Sequence, residues 1–195
     1  MCLIKYSKYL VYKLPDEWRQ NPYSVGEGIS YIELKSKDTI KQLFSYDEIL
    51  QRTFCEFLEK GFYGIAWYNQ TGWMSYAWMS LPETLGPPHL PRKVQMLPFY
   101  WIFYCRTREE YRGHGLYKAS LNILCNLARR QDPNAEIYID TDANNLPSRK
   151  AIEAVGFIPA GVITMYSLRI PKIRTILLKW SWNKEAKHPE AKIDE

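Results

Sequence analysis

Tyr111-Arg112-Gly113-His114-Gly115-Leu116-Tyr117 is the stretch that decides how this chain folds. The apolar, aromatic run Phe99-Tyr100-Trp101-Ile102-Phe103-Tyr104-Cys105 stands before it, and an amphipathic run from Leu116 to about Ala128 follows. The order is strand, tight glycine turn, helix. Two glycines let a backbone come close to a ligand. The helix N-terminus beyond them offers N–H groups and the positive end of a dipole, which suits a phosphate. Arg112 adds a fixed positive charge able to grip phosphate oxygens. The stretch reads as a pyrophosphate cradle. It is neither a P-loop, since no Gly-x-x-x-x-Gly-Lys-Ser/Thr occurs, nor the dinucleotide fingerprint, which needs a third glycine.

A second segment lies downstream. Residues 136–141 read as a short strand. Asn145-Leu146-Pro147-Ser148 then opens a helix that stops at Gly156, a usual C-terminal glycine stop, with Phe157 next. With both segments in view, the chain resembles the GNAT superfamily of acyl-CoA-dependent N-acetyltransferases. The family's phosphate motif is Arg/Gln-x-x-Gly-x-Gly/Ala, and residues 112–117 match it except at Tyr117. Its second signature is an Asn, a small residue three on and Gly-Phe eleven on, and Asn145, Ser148, Gly156 and Phe157 fall on those places. The resemblance is clear over residues 62–170.

The resemblance implies an α/β fold with a mixed, mostly antiparallel central sheet flanked by helices, in which two central strands, here 99–106 and 136–141, splay apart around the pantetheine arm. It implies acetyl-CoA or a related acyl-CoA as cosubstrate. The pyrophosphate would rest on main-chain N–H groups of Gly113, His114, Gly115, Leu116 and Tyr117, with Arg112 alongside. Cys105 and Thr107 lie where the family holds pantetheine and the acyl carbonyl. Asn145 would bond the pantetheine arm, with Ser148 counted among the cofactor contacts.

The usual catalytic side chains are missing. Many members carry a carboxylate base on the strand before the cradle. Trp101 stands there, and no Asp or Glu occurs between Thr84 and Arg108. Ile152 occupies the place of the usual tyrosine acid. Three readings stay open: the amine is deprotonated by water in a desolvating site, another residue substitutes, or the chain only binds. Asp140 and Tyr104 are the chosen substitutes, ahead of Asp142, Tyr117, His89 and His114.

Bulk composition is consistent with these readings. A chain of 195 residues with 46% hydrophobic and 24% charged content suits one soluble globular domain. The expected bounds are residues 1–182, with a charged, fraying tail over 183–195. The net charge of +5 is spread singly, so it indicates no nucleic-acid partner, while an anionic ligand accounts for part of it. Four cysteines without Cys-x-x-Cys spacing predict neither a metal site nor a disulfide framework. No apolar run is long enough to span a membrane, no signal peptide is visible, and the expected compartment is the cytoplasm.

The function expected is transfer of an acetyl or related acyl group from acyl-CoA to the primary amine of a small molecule. Aromatic segments 62–80 and 99–104 would line the acceptor side, which slightly favours an amino sugar. The alternatives are an N-acyl amino acid synthase-like enzyme fed by an acyl carrier protein and an inactive acyl-CoA-binding protein. Oligomeric state is left open between monomer and homodimer.

Overall fold

Asn69-Gln70-Thr71-Gly72 separates two aromatic runs, and in the computed structural model of the chain it reverses them into a hairpin. The structure describes residues 3–20, 25–26, 28–169 and 175–189. At the turn, Asn69 Oδ1 accepts from the Thr71 N–H at 2.9 Å, and Gly72 takes a φ of 120° closed to other residues. The strands so joined are β3 (Tyr63–Asn69) and β4 (Gly72–Ser80). β2 (Ser30–Glu33) pairs with β3, and β5 (Tyr100–Thr107) pairs with β4, both antiparallel. These strands belong to a compact unit over Asp16–Ile137.

Helices cover both faces of that unit's sheet. Ser36 caps α1 (Lys37–Leu43) by accepting from the Thr39 N–H, and Asp47 caps α2 (Glu48–Glu59) by accepting from the Leu50 N–H at 2.9 Å. Leu50, Phe54 and Phe57 follow the spacing of one helical face and are buried. Phe54 meets Tyr76 and Trp78, and Phe57 meets Trp78 and Phe103, at centroid distances of 4.9–5.2 Å. Burying each such side chain is worth about 1.5–3 kcal/mol. On the opposite face α4 (Leu116–Gln131) lays Leu116 and Ala119 against Trp67 and Met74. Trp67 Nε1 donates to Ser120 Oγ at 2.8 Å, and that hydroxyl donates to the Leu116 carbonyl at 2.9 Å. This pair pins the first turn of α4 to β3. The proline-rich stretch 81–98 contains a single turn of helix, α3 (Arg92–Gln95), to which Gly86 is tied by its N–H.

The second unit comprises Met1–Pro15 and Tyr138–Glu195. Its strands lie in the order β6 (Ile137–Asp142), β1 (Leu3–Lys13), β7 (Ile158–Arg169), β8 (Thr175–Asn183), each antiparallel to its neighbour. α5 (Leu146–Val155) joins β6 to β7, with Pro147 in its first turn and Gly156 at φ 106° ending it. Leu10, Val11, Tyr12, Ile139, Ile152 and Ile163 form the buried centre. The mixed α/β, mostly antiparallel architecture is thus the one expected.

The tail behaves differently from expectation over residues 184–189. His188 Nε2 donates to the Gly161 carbonyl at 2.9 Å, Arg149 donates to the Pro189 carbonyl, and the Tyr12 and His188 rings meet edge-on at 4.5 Å. A Cβ on Gly161, which has φ 99°, would fall 2.2 Å from the Asn183 carbonyl oxygen, so only glycine allows this approach. Sequence missed the docking because its partners sit 22 or more residues away. Residues 190–195 lie outside the described residues.

Candidate functional site

β5 changes character at its midpoint. Tyr100 to Phe103 are buried, whereas Tyr104 and Arg106 are exposed and Cys105 and Thr107 half-buried. The register shifts there as well: Trp78 faces Phe103 and Tyr76 faces Arg106, which leaves Tyr104 and Cys105 together opposite Ala77. This is a β-bulge, and Tyr104 carries its strain at φ 49°, a left-handed conformation rare for an aromatic residue. The Tyr104 ring stacks on Tyr76 at 5.9 Å and meets Phe57 edge-on at 5.2 Å, yet stays 45% exposed. Burial raises the Tyr76 phenol well above its ordinary value, with Tyr104 adding to the shift. Cys105 Sγ lies 3.5 Å from the Phe103 carbonyl, and Thr107 Oγ1 pairs with Ser75 Oγ at 2.9 Å.

From the bulge the chain runs into the glycine turn. A single 3-10 turn over Glu109–Tyr111, not foreseen from sequence, separates β5 from Arg112. Gly113 has φ 82° and Gly115 φ 75°, so both are left-handed, where side-chain-bearing residues are strained. A Cβ on Gly113 would meet nothing within 4 Å, so that side of the turn is open. Gly115 is the N-cap of α4 and supplies no side chain to its first turn. The His114 ring folds back, with Nδ1 at 3.0 Å from the Arg112 carbonyl. Leu116 is buried in the core, so it faces the turn with its main chain alone, and Tyr117 is half-buried. Arg112 is exposed and paired with Glu109 at 2.8 Å. The turn thus presents main chain rather than side chains at the start of α4, while the Arg112 guanidinium is already engaged with a carboxylate.

Of the remaining sequence candidates, His89 stays in the unit Asp16–Ile137, while Asp140, Asp142, Asn145 and Ser148 fall in the other. Asn145 is the N-cap of α5 and accepts through Oδ1 from the Ser148 N–H at 3.3 Å. Asp140 is half-buried on β6 opposite Val11, and Asp142 is opposite Tyr9. Alternation puts Asp140, Asp142 and Tyr9 on one sheet face. Burial raises the Tyr9 phenol above its ordinary value, with the charges of Asp140 and Asp142 contributing. Ile152 is fully buried and packs. Tyr9 was not singled out from sequence because its neighbours come from a strand 130 residues away.

Arg108 was missed too. Its guanidinium lies over Trp73 at 5.5 Å and Tyr111 at 5.7 Å, and bonds Glu110 at 2.6 Å. It forms one wall of a cleft of about 910 Å³ bounded also by Tyr46, Asp47, Asn69, Thr71 and Trp73. No periodicity marks a cleft assembled from a helix connection, a hairpin tip and the end of a strand.

The fold has solved counterparts. An acetyltransferase of the GNAT family from Colwellia psychrerythraea superposes with a TM-score of 0.58 at 15% identity, over 84% of this chain and 56% of that one. A GCN5-related N-acetyltransferase-like protein from Streptococcus suis gives 0.54 at 16% identity, over 85% and 63%. A tandem GNAT protein from the clavulanic acid biosynthesis pathway gives 0.56 at 14% identity, over 78% and 50%. This chain therefore spans between half and two thirds of the length of these three, and identities this low speak to fold alone. No curated protein sequence matches the chain. At the level of sequence, the acetyltransferase (GNAT) family matches residues 29–157, a span running from β2 through the bulge and the double-glycine turn to the Gly156-Phe157 pair. With the match covering well over half of its length, the chain belongs to the GNAT family of acetyltransferases.

Proposed function

We propose that the protein transfers an acetyl group from acetyl-CoA, or a related acyl group from its CoA ester, to the primary amine of a small molecule. The observation that carries this reading is the Tyr104 bulge in β5, followed after one 3-10 turn by a turn built from two left-handed glycines at the N-terminus of α4. The glycine turn receives the pyrophosphate through main-chain N–H groups of residues 113–117. A thioester supplies an acyl carbon open to attack and a thiolate leaving group. Main-chain N–H groups near Cys105 and Thr107 are the candidate donors to the oxyanion. Tyr104, exposed beside them, is the candidate proton donor to the departing sulfur.

For the acceptor we favour an amino sugar or its nucleotide-linked form. The cleft walled by Arg108 offers Asn69 and Thr71 to hydroxyls and the Arg108 guanidinium, stacked on Trp73 and shared with Glu110, to an anionic substituent.

Two measurements test the reading. Coenzyme A should raise the melting temperature of the wild type and leave a folded Gly115→Val variant unmoved, because a branched side chain obstructs the pyrophosphate. An equal shift in both removes the cradle assignment. Thiol release from acetyl-CoA across a panel of amino sugars, amino acids and polyamines then reads the acceptor. Binding of coenzyme A with no release on any amine would make the chain a binding protein instead.

A further inference from the structure

Among the described residues, the outer part of the β1–β7–β8 sheet exposes a group of apolar side chains. Ile4 is 69% exposed, Leu178 55%, and Ile176 and Leu177 41% each. The register arranges these residues in layers. Ile4, Leu168 and Ile176 share the rung next to the outermost described one. Two residues further in along β1 and β7, Tyr6 and Tyr166 face each other with centroids 5.1 Å apart, both still exposed. Trp180 and Trp182 follow on β8. At about 3.3 Å per residue the aliphatic rung leads the tyrosine rung by roughly 7 Å. β8 is also the last strand in the order, so it is an edge. Natural edges are usually blunted by charge, proline or a bulge. Here the bulge lies beside Leu178 and pushes an extra apolar residue outward.

Charge is segregated onto the same part of the chain. Residues 3–15, 154–169 and 175–184 hold six of the 26 Lys and Arg and none of the 21 Asp and Glu, so they carry +6 in a chain whose total is +5. Lys5 stands on β1 between the aliphatic and tyrosine rungs, Lys179 on β8 is level with the tyrosines opposite Tyr166, and Lys8 lies two residues further in along β1.

We propose that this arm docks on the surface of an anionic phospholipid bilayer. The aliphatic rung enters the headgroup–acyl boundary, the tyrosines sit at headgroup level and the lysines meet lipid phosphates. A depth of about 5–10 Å is usual for such interfacial elements, and the 7 Å from aliphatic to tyrosine rung matches it. Charge separates this occupant from others. A second copy would bring an equally basic arm against the first, and like charges oppose that pairing. A nucleic acid would satisfy the lysines and leave Ile4, Ile176, Leu177 and Leu178 in water. The arm is remote in sequence from the cradle, so the proposal stands apart from the acyltransferase reading.

Cosedimentation of the full chain tests it, using vesicles of phosphatidylcholine mixed with phosphatidylglycerol beside vesicles of phosphatidylcholine alone. The wild type should pellet with the mixed vesicles and less so as salt is raised. Leu177→Asp with Leu178→Asp should weaken the partition at least about tenfold. Lys5→Gln and Lys179→Gln should each weaken it about fivefold, and they serve if the leucine variant fails to fold. Three results overturn the proposal: a wild type left in the supernatant with both vesicles, a dimer by light scattering that the leucine variant dissociates, or tighter retention by a DNA duplex than by the mixed vesicles.

Discussion

Gly64 lacks a side chain because Trp78 occupies the place. A Cβ there would lie 2.8 Å from three carbons of the indole, and Trp78 is fully buried between β3 and α2. A ring so enclosed has nowhere to move, and overpacking of this kind costs about 1–3 kcal/mol. Gly64→Ala should lower the urea midpoint accordingly without changing the slope, as measured by denaturation followed in tryptophan fluorescence. Gly113 is the contrast. Its Cβ would meet open space, so its constraint is the backbone φ of 82° alone. The neighbouring Arg112 is limited by its partner: Glu109 holds it at 2.8 Å and brings a negative charge to the mouth of the turn. Glu109→Gln should therefore tighten coenzyme A binding, by up to about fivefold since an exposed pair is worth no more than roughly 1 kcal/mol. Calorimetric titration at low salt reads this, and an unchanged affinity would mean that Arg112 does not meet the phosphates.

Among the elements, α5 has a cap that serves two readings. Asn145 satisfies the Ser148 N–H through Oδ1. Asn145→Ala should cost about 1 kcal/mol of stability. Asn145→Asp keeps an acceptor in the cap and removes the amide donor, so it should restore stability while coenzyme A affinity stays reduced. Full recovery of both would leave Asn145 as a cap only. The docked segment after β8 has its own signature. Burial, opposed in part by the bond to the Gly161 carbonyl, holds His188 below its ordinary value of 6.5, and the nearby Arg149 pushes the same way. Tyr12, whose own phenol burial pushes up to about 12, and Glu153 complete the surroundings. A histidine depressed in the folded state binds fewer protons folded than unfolded, so its contribution is whole above 6.5 and fades as pH falls through the lower folded value. Proteolysis after the β8 strand should accelerate on acidification from about pH 7 to pH 5. His188→Gln should lose that dependence, and an equal acceleration in this variant would place the switch elsewhere. Helix signals were legible because they are local: Ser36, Asp47, Gly61 and Gly156 all cap or stop where their residue types predict. The docking of residues 184–189 was not, because Gly161, Arg149 and Tyr12 are remote in sequence.

On the scale of the whole molecule, the order of strands and helices and the double-glycine turn before α4 could be read from the chain, since each rests on residue type and spacing. Strand register could not. Nothing in the sequence says that Val11 stands opposite Asp140, or that Tyr9 joins Asp140 and Asp142 on one face. The Tyr104 bulge was invisible for the same reason, since a left-handed tyrosine follows no local rule. These unreadable features bear on how the amine loses its proton. An ammonium ion has no lone pair, so only the neutral fraction attacks a thioester. β5 carries no carboxylate, and a site can disfavour the ammonium by desolvation alone. Turnover should then climb with pH toward the acceptor's own amine value. It should be little changed in Asp140→Asn and Asp142→Asn once both are shown to fold. Should Asp140 instead accept the proton, the pH–rate profile will carry an acidic limb that Asp140→Asn abolishes together with about 10²–10⁴-fold of rate, the usual worth of a general base. Tyr104→Phe in the same series isolates the acid: a comparable loss there, with coenzyme A affinity intact, would assign the proton of the departing thiol to the one aromatic side chain that β5 holds under backbone strain.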